Sequence, residues 1–148
     1  GQIVPASGRP APGEAAVRPS LRILLAEDDR VTRLVADRLL EKMGHAVTVA
    51  ENGRQALDRL AEAEFDLVIM DIQMAEMDGL EATAAIRHDP RFAAKARIPI
   101  VAMTAHALPE DRQRCKNAGM DGYISKPMDM DELARVLREA TGRDQAPA

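Results

Sequence analysis

Four positions in this chain place reactive side chains directly after short apolar runs. Asp71 follows "FDLVIM" (65–70), Glu27, Asp28 and Asp29 follow "LRILLA" (21–26), Thr104 comes just after "IPIVAM" (98–103), and Lys126 follows "GYIS" (122–125). An acid in such a place can be a helix cap, a metal ligand or a nucleophile. Each residue also has an ordinary explanation. Glu27, Asp28 and Asp29 precede a helical pattern and could serve as caps. Asp78 before Gly79 reads as turn chemistry or the cap of the next helix. Thr104 can simply end a strand, Tyr123 can be core, and a lysine such as Lys126 usually sits at a solvated surface. Their joint placement favours a site, because three acids, a hydroxyl and a lysine at the ends of four strands are hard to obtain from independent structural accidents.

The chemistry follows from the residue types. Two carboxylates from one loop and a third from another cannot all stay ionised side by side without a counter-charge. Oxygen donors with no His or Cys in the pattern favour Mg2+, with Mn2+ as the alternative ion. Lys126 adds a fixed positive point suited to a phosphoryl oxygen. A carboxylate flanked by a metal and a lysine is arranged to accept a phosphoryl group, which makes Asp71 the nucleophile candidate. The histidines His45, His88 and His106 fall in a turn, near a helix end and beyond the fourth strand. None lies in a motif that would make it a ligand or a phosphorylated group.

The elements that position these residues alternate regularly. Apolar runs at 21–26, 46–50, 65–70, 98–103 and 122–125 have strand length and branched composition. Between them apolar residues recur at helical spacing: Val31, Leu34, Val35, Leu39 and Leu40; Ala56, Leu57, Leu60 and Ala61; Leu80, Ala84, Ala85 and Ile86. A fourth helix over 108–118 has Pro109 in its first turn and Gly119 past its end, and a fifth over 129–140 starts behind Asp129 as N-cap. This is an α/β chain of five βα units. Near-continuous apolar strands joined by helices imply a parallel sheet covered on both faces, whose functional groups gather beyond the carboxyl ends of the strands.

Composition narrows the function classes. With 148 residues, 46% of them hydrophobic, the chain has the length and apolar content of one domain. A net charge of -4 and pI near 5.4 give no electrostatic footprint for nucleic acid. The single Cys115 closes no internal disulfide and points to a reducing, cytoplasmic setting. No apolar run approaches the ~20 residues of a membrane span, so no membrane contact is expected. Residues 1–20 hold Pro5, Pro10, Pro12 and Pro19 without periodicity and read as a flexible Pro/Gly/Ala-rich linker, while 142–148 reads as a disordered tail. The absence of an initial Met suggests a segment of a longer protein.

"ILLAEDD", "VIMDIQMAEMDG", "IPIVAMTA" and "AGMDGYISKP" together resemble the receiver domain of two-component response regulators, over residues 21–141. The resemblance implies a flavodoxin-like doubly wound sheet of order 2-1-3-4-5. It also implies Asp71 as phosphoacceptor, Glu27 and Asp28 as the acidic pair serving Mg2+, with Asp28 the more direct ligand, and a backbone carbonyl of Gln73 as a further ligand. Lys126 matches the lysine that contacts the phosphoryl group, Thr104 the hydroxyl that swings toward it, and Tyr123 the aromatic switch. Pro127 stands where the family has a cis peptide bond after the lysine. Ala75 departs from the family's usual proline after Met74, which predicts a loop with one fixed φ fewer and more mobility.

The wording "DIQMAEMDGLEA" with "DGYISKPM" is most similar to receivers of hybrid sensor histidine kinases. That similarity implies a donor histidine on a kinase dimerisation domain or a histidine phosphotransfer domain, a monomer or weak dimer, and a domain that catalyses only its own phosphorylation and dephosphorylation, within a parent that is itself a histidine kinase. Residues 1–20 then read as an interdomain linker. A stand-alone single-domain regulator is the alternative. An Asp-nucleophile phosphatase of the haloacid dehalogenase kind would carry a second Asp where this chain has Gln73. A flavin or nucleotide module would carry a phosphate-cradling loop where this one is acidic.

Overall fold

The computed structural model describes residues 20–105, 108–126 and 128–141. Residues 1–19 of the expected linker, the expected tail, His106 and the expected cis bond at Pro127 lie outside them. Five parallel strands, β1 (Arg22–Ala26), β2 (Ala46–Ala50), β3 (Leu67–Asp71), β4 (Ile100–Thr104) and β5 (Gly122–Ser125), form one sheet in the order 2-1-3-4-5. The five helices are α1 (Arg30–Lys42), α2 (Gly53–Glu62), α3 (Gly79–His88), α4 (Pro109–Ala118) and α5 (Met130–Thr141). The α/β architecture and strand order are those expected.

Strand alternation divides the core in two. Leu24, Ala26, Val68, Met70, Ile100 and Ala102 pack with α2, α3 and α4 on one face. Ile23, Leu25, Leu67, Ile69, Val101, Met103 and Ile124 pack with α1 and α5 on the other. Central strands β1, β3 and β4 are buried on both faces almost throughout, which is why they read as continuous apolar runs rather than alternating ones.

Capping side chains fix where helices begin. Asp29 accepts from Thr32 N at α1, Asn52 from Gln55 N at α2, Asp78 from Glu81 N in a capping box at α3, and Asp129 from Glu132 N at α5. Pro109 opens α4, and Gly119 closes it at φ +100°, as expected from its lack of Cβ. His45 is structural: its Nδ1 accepts the Leu21 N–H at 3.0 Å.

Three sequence expectations shift. The third and fourth strands begin two residues later than their apolar runs and extend one residue further, so Asp71 and Thr104 are themselves strand residues. Asp66 is instead engaged by Arg22, and Ile98 closes a turn onto Lys95 O. In α1 the inward residues are Ala36 and Leu40, whereas Val31, Leu34 and Val35 are 69%, 51% and 47% exposed. In α3, Ala82 and Thr83 are buried and Ala84 is exposed. A short 3-10 segment at Pro90–Lys95, capped by Asp89, buries Phe92 and was not foreseen.

Candidate functional site

Strand register carries the site residues to one edge. Ala26 pairs with Met70, Asp71 with Met103, and Thr104 with Ser125, so Glu27, Asp71, Thr104 and Lys126 end adjacent strands at nearly one level. Backbone bonds extend the ladder just past the strands: Glu27 N to Ala50 O at 3.0 Å and Lys126 N to Thr104 O at 2.8 Å. Continuing the alternation, Glu27, Asp71 and Lys126 share the phase of Leu25, Ile69 and Ile124, so their side chains converge.

Lys126 joins the acids. Its Nζ lies 3.1 Å from Asp71 Oδ2 and 2.9 Å from Glu27 Oε1. The ordinary reading of Lys126 as a solvated surface lysine does not hold, since only 19% of its side chain is exposed. Burial works against its charge, but the contact with Glu27 and the charges of Asp71 and Glu27 outweigh it and hold the ammonium above its ordinary value. Glu27 is fully buried; burial, aided by the neighbouring Asp71 carboxylate, pushes it up to about 7 against the pull of Lys126 and the Asp29 amide. Its Oε2 accepts from Asp29 N at 2.8 Å, and the Arg33 guanidinium donates to its backbone carbonyl at 2.9 Å. Arg33 thus helps hold the acidic loop.

The donor set fits a small hard cation. Carboxylate oxygens of Glu27, Asp28 and Asp71 lie within 4.8 Å of one another. Glu27 Oε1 is fully enclosed, with the Lys126 ammonium 2.9 Å away. Three carboxylates this close, with one lysine among them, are a reason for a further cation at the site. Asp28 is the exposed member, and it opens into a cavity of about 470 Å³ with Ile72, Gln73, Met74, Asp78 and Arg114. Gln73 N donates to Asp71 Oδ1 at 3.2 Å, which places its peptide at the site's edge.

Thr104 is buried and Tyr123 half-buried. Ala102 pairs with Tyr123, and Thr104 lies two residues beyond Ala102, so Thr104 and Tyr123 share the α4 face of the sheet as diagonal neighbours. The Arg112 guanidinium sits 5.2 Å from the Tyr123 ring centroid, and burial raises the phenol.

Sequence reasoning missed several supporting groups. At Gly79 a Cβ would lie 2.3 Å from Asp71 O, and at Gly53 2.4 Å from Met77 O, so both glycines admit backbone against backbone. The "DG" at 78–79 reads as turn chemistry or a helix cap and the "ENG" at 51–53 as a turn or helix start, so neither signals the close backbone approach. Ala75 N donates to Asp28 Oδ2 at 3.2 Å, a bond proline cannot make. The loop expected to be looser thus gains a tie.

The family model described as "Response regulator receiver domain" matches residues 23–138. The chain is 37% identical over 148 residues to the sensor histidine kinase GacS of Pseudomonas protegens, covering 98% of this chain and 16% of that protein. It is 38% identical over 121 residues to the aerobic respiration control sensor protein ArcB of Escherichia coli, covering 82% and 15%. The chain therefore spans about one sixth of the length of these relatives. Among solved structures, the receiver domain of sensor histidine kinase PA1611 from Pseudomonas aeruginosa, with magnesium coordinated in its active site cleft, matches at TM-score 0.74 and 36% identity, covering 83% of this chain and 98% of that one. The chemotaxis protein CheY4 of Vibrio cholerae matches at TM-score 0.74 and 29% identity, covering 82% and 98%.

Proposed function

Because this chain belongs to the response regulator receiver family of two-component signalling, we propose that Asp71 accepts a phosphoryl group from a phosphohistidine and that the domain changes conformation when it does. The observation that carries this is Lys126 Nζ held 3.1 Å from the strand-end carboxylate of Asp71, with two further acids within reach. A carboxylate oxygen of Asp71 forms the new O–P bond while the N–P bond to the donor imidazole breaks, its electron pair returning to the ring nitrogen. Asp28, Glu27, Asp71 and the Gln73 backbone carbonyl would hold Mg2+, or Mn2+ in its place, and the ion when bound would neutralise charge on the phosphoryl oxygens.

The remaining work belongs to side chains. Lys126 pairs with a phosphoryl oxygen and Glu27 holds Lys126. Thr104 turns its hydroxyl to donate to the phosphoryl group, and the space it leaves on the α4 face is taken by Tyr123. The added negative charge thereby favours one of two packings of β4, α4 and β5. The donor is a histidine on a kinase dimerisation domain or a histidine phosphotransfer domain, and the parent is a hybrid kinase acting in the cytoplasm. The much longer kinases it matches favour this over a stand-alone regulator.

Acetyl phosphate with Mg2+ tests the reading. Intact mass should rise by one phosphoryl group in the wild type, and neither in Asp71→Ala nor with chelator. No gain in the wild type, or equal gain in Asp71→Ala, rejects Asp71 as acceptor. Amide exchange on the same samples should change over β4, α4 and β5 on labelling, and Tyr123→Ala should keep the label but lose much of that change. An undiminished change would remove Tyr123 from the coupling.

A further inference from the structure

The loop between β3 and α3 is built around a strained turn. Met77 N donates to Ala75 O at 2.7 Å, and the residue between them, Glu76, has φ +67°. This three-residue turn places a side chain in the left-handed region that only glycine enters freely. Such a conformation persists where its surroundings fix it. Here Gly53 N donates to Met77 O at 3.0 Å, and Gly79 N donates to Ile72 O at 2.9 Å, so both sides of the turn are held. The Ala75 peptide is presented rigidly, and its N–H donates to Asp28 Oδ2 at 3.2 Å.

Asp28 is the acid that needs such a partner. Glu27 and Asp71 are buried and held by Lys126, whereas Asp28 is exposed. We infer that the backbone amide of Ala75 is a positioning group for Asp28, fixing Oδ2 so that Oδ1 is offered to a divalent cation. This rests on the Mg2+ reading above. A carboxylate has lone pairs enough for an amide on one oxygen and a metal on the other. The strained turn is thereby linked to the metal: whatever loosens Glu76 or its anchors releases Asp28.

The test is a calorimetric titration of the full chain with Mg2+. Ala75→Pro deletes the N–H and should weaken binding by roughly threefold to tenfold, while Ala75→Ser keeps the N–H and should stay within about twofold of wild type. A second measurement needs no metal and no proline. In chelator, the Ala75 amide should exchange roughly threefold to tenfold faster in Asp28→Ala than in wild type. Equal Mg2+ affinity of wild type and a folded Ala75→Pro, or unchanged Ala75 exchange in Asp28→Ala, overturns the inference while leaving the phosphoacceptor reading standing. Equal Mg2+ affinity of wild type and Asp28→Ala overturns the metal reading itself, and this inference with it.

Discussion

Glu27 has its side chain wholly out of water, one oxygen on the Asp29 amide and the other 2.9 Å from the Lys126 ammonium. Burial lifts it from an ordinary 4.5 to about 7. Because the folded value lies above the unfolded one, the native state binds the proton more tightly than the unfolded chain. Stability is then greatest below about 4.5 and declines as pH rises toward 7. Glu27→Gln cannot lose a proton. In metal-free protein its urea midpoint should therefore lack the wild-type decline between about pH 5 and pH 8; parallel profiles would show that Glu27 does not titrate there. The identities of Glu27, Asp71 and Lys126 were legible because hydrophobic runs mark where strands end. The burial of Glu27 was not, since acids are seldom fully buried and only the convergence of three strands encloses this one. Asp29 shows the opposite case: the ordinary reading as a cap was right, with Thr32 N and Oγ1 both on its Oδ2.

Among elements, the packing of α3 against β3 leaves the least room for change. Gly79 is buried, starts α3, and would place a Cβ 2.3 Å from Asp71 O and 3.0 Å from Asp71 C. Those atoms are backbone of Asp71, the proposed phosphoacceptor, and cannot rotate away. Gly79→Ala should therefore push α3 from the strand end, destabilise the domain by about 1–3 kcal/mol, and slow acetyl phosphate labelling of Asp71 beyond what the unfolded fraction explains. Urea unfolding and labelling rates measured together check it, and wild-type values in both would mean the helix accommodates the methyl. Helix identity was legible from periodicity and caps, but helix orientation less so. Val31, Leu34 and Val35 match the inward spacing in α1 as well as Ala36 and Leu40 do, and periodicity alone cannot choose between stripes about a quarter-turn to a half-turn apart. The 3-10 segment at Pro90–Lys95 was missed because it has one buried side chain, Phe92, and too short a run to show a period.

At the scale of the molecule the two ends of the sheet have different tasks. The carboxyl edge gathers like charges, a buried acid and a strained turn. The opposite edge is tied by Arg87, whose Nε and Nη2 donate to Gly119 O at 2.9 and 2.7 Å, Nη1 to Ala96 O and Ile98 O at 2.8 and 2.7 Å, and Nη2 to Asp121 Oδ2 at 2.8 Å. Asp121 in turn accepts the Ile100 N–H at the start of β4. One guanidinium thus joins α3, the segment leading into β4 and the turn leading into β5, with only 14% of its side chain exposed. Removing it takes the donor from the half-buried carbonyls of Ala96, Ile98 and Gly119, so Arg87→Met should lower stability by about 1–3 kcal/mol. Lysine cannot replace it, because a single ammonium cannot span the same acceptors. Since none of these bonds touches the acidic edge, the folded Arg87→Met protein should take the acetyl phosphate label at the wild-type rate when assayed well below its unfolding midpoint. A lower urea midpoint with unchanged labelling would separate the stabilising end from the chemical one; slower labelling of the fully folded variant would show that the two ends are coupled through β4 and β5.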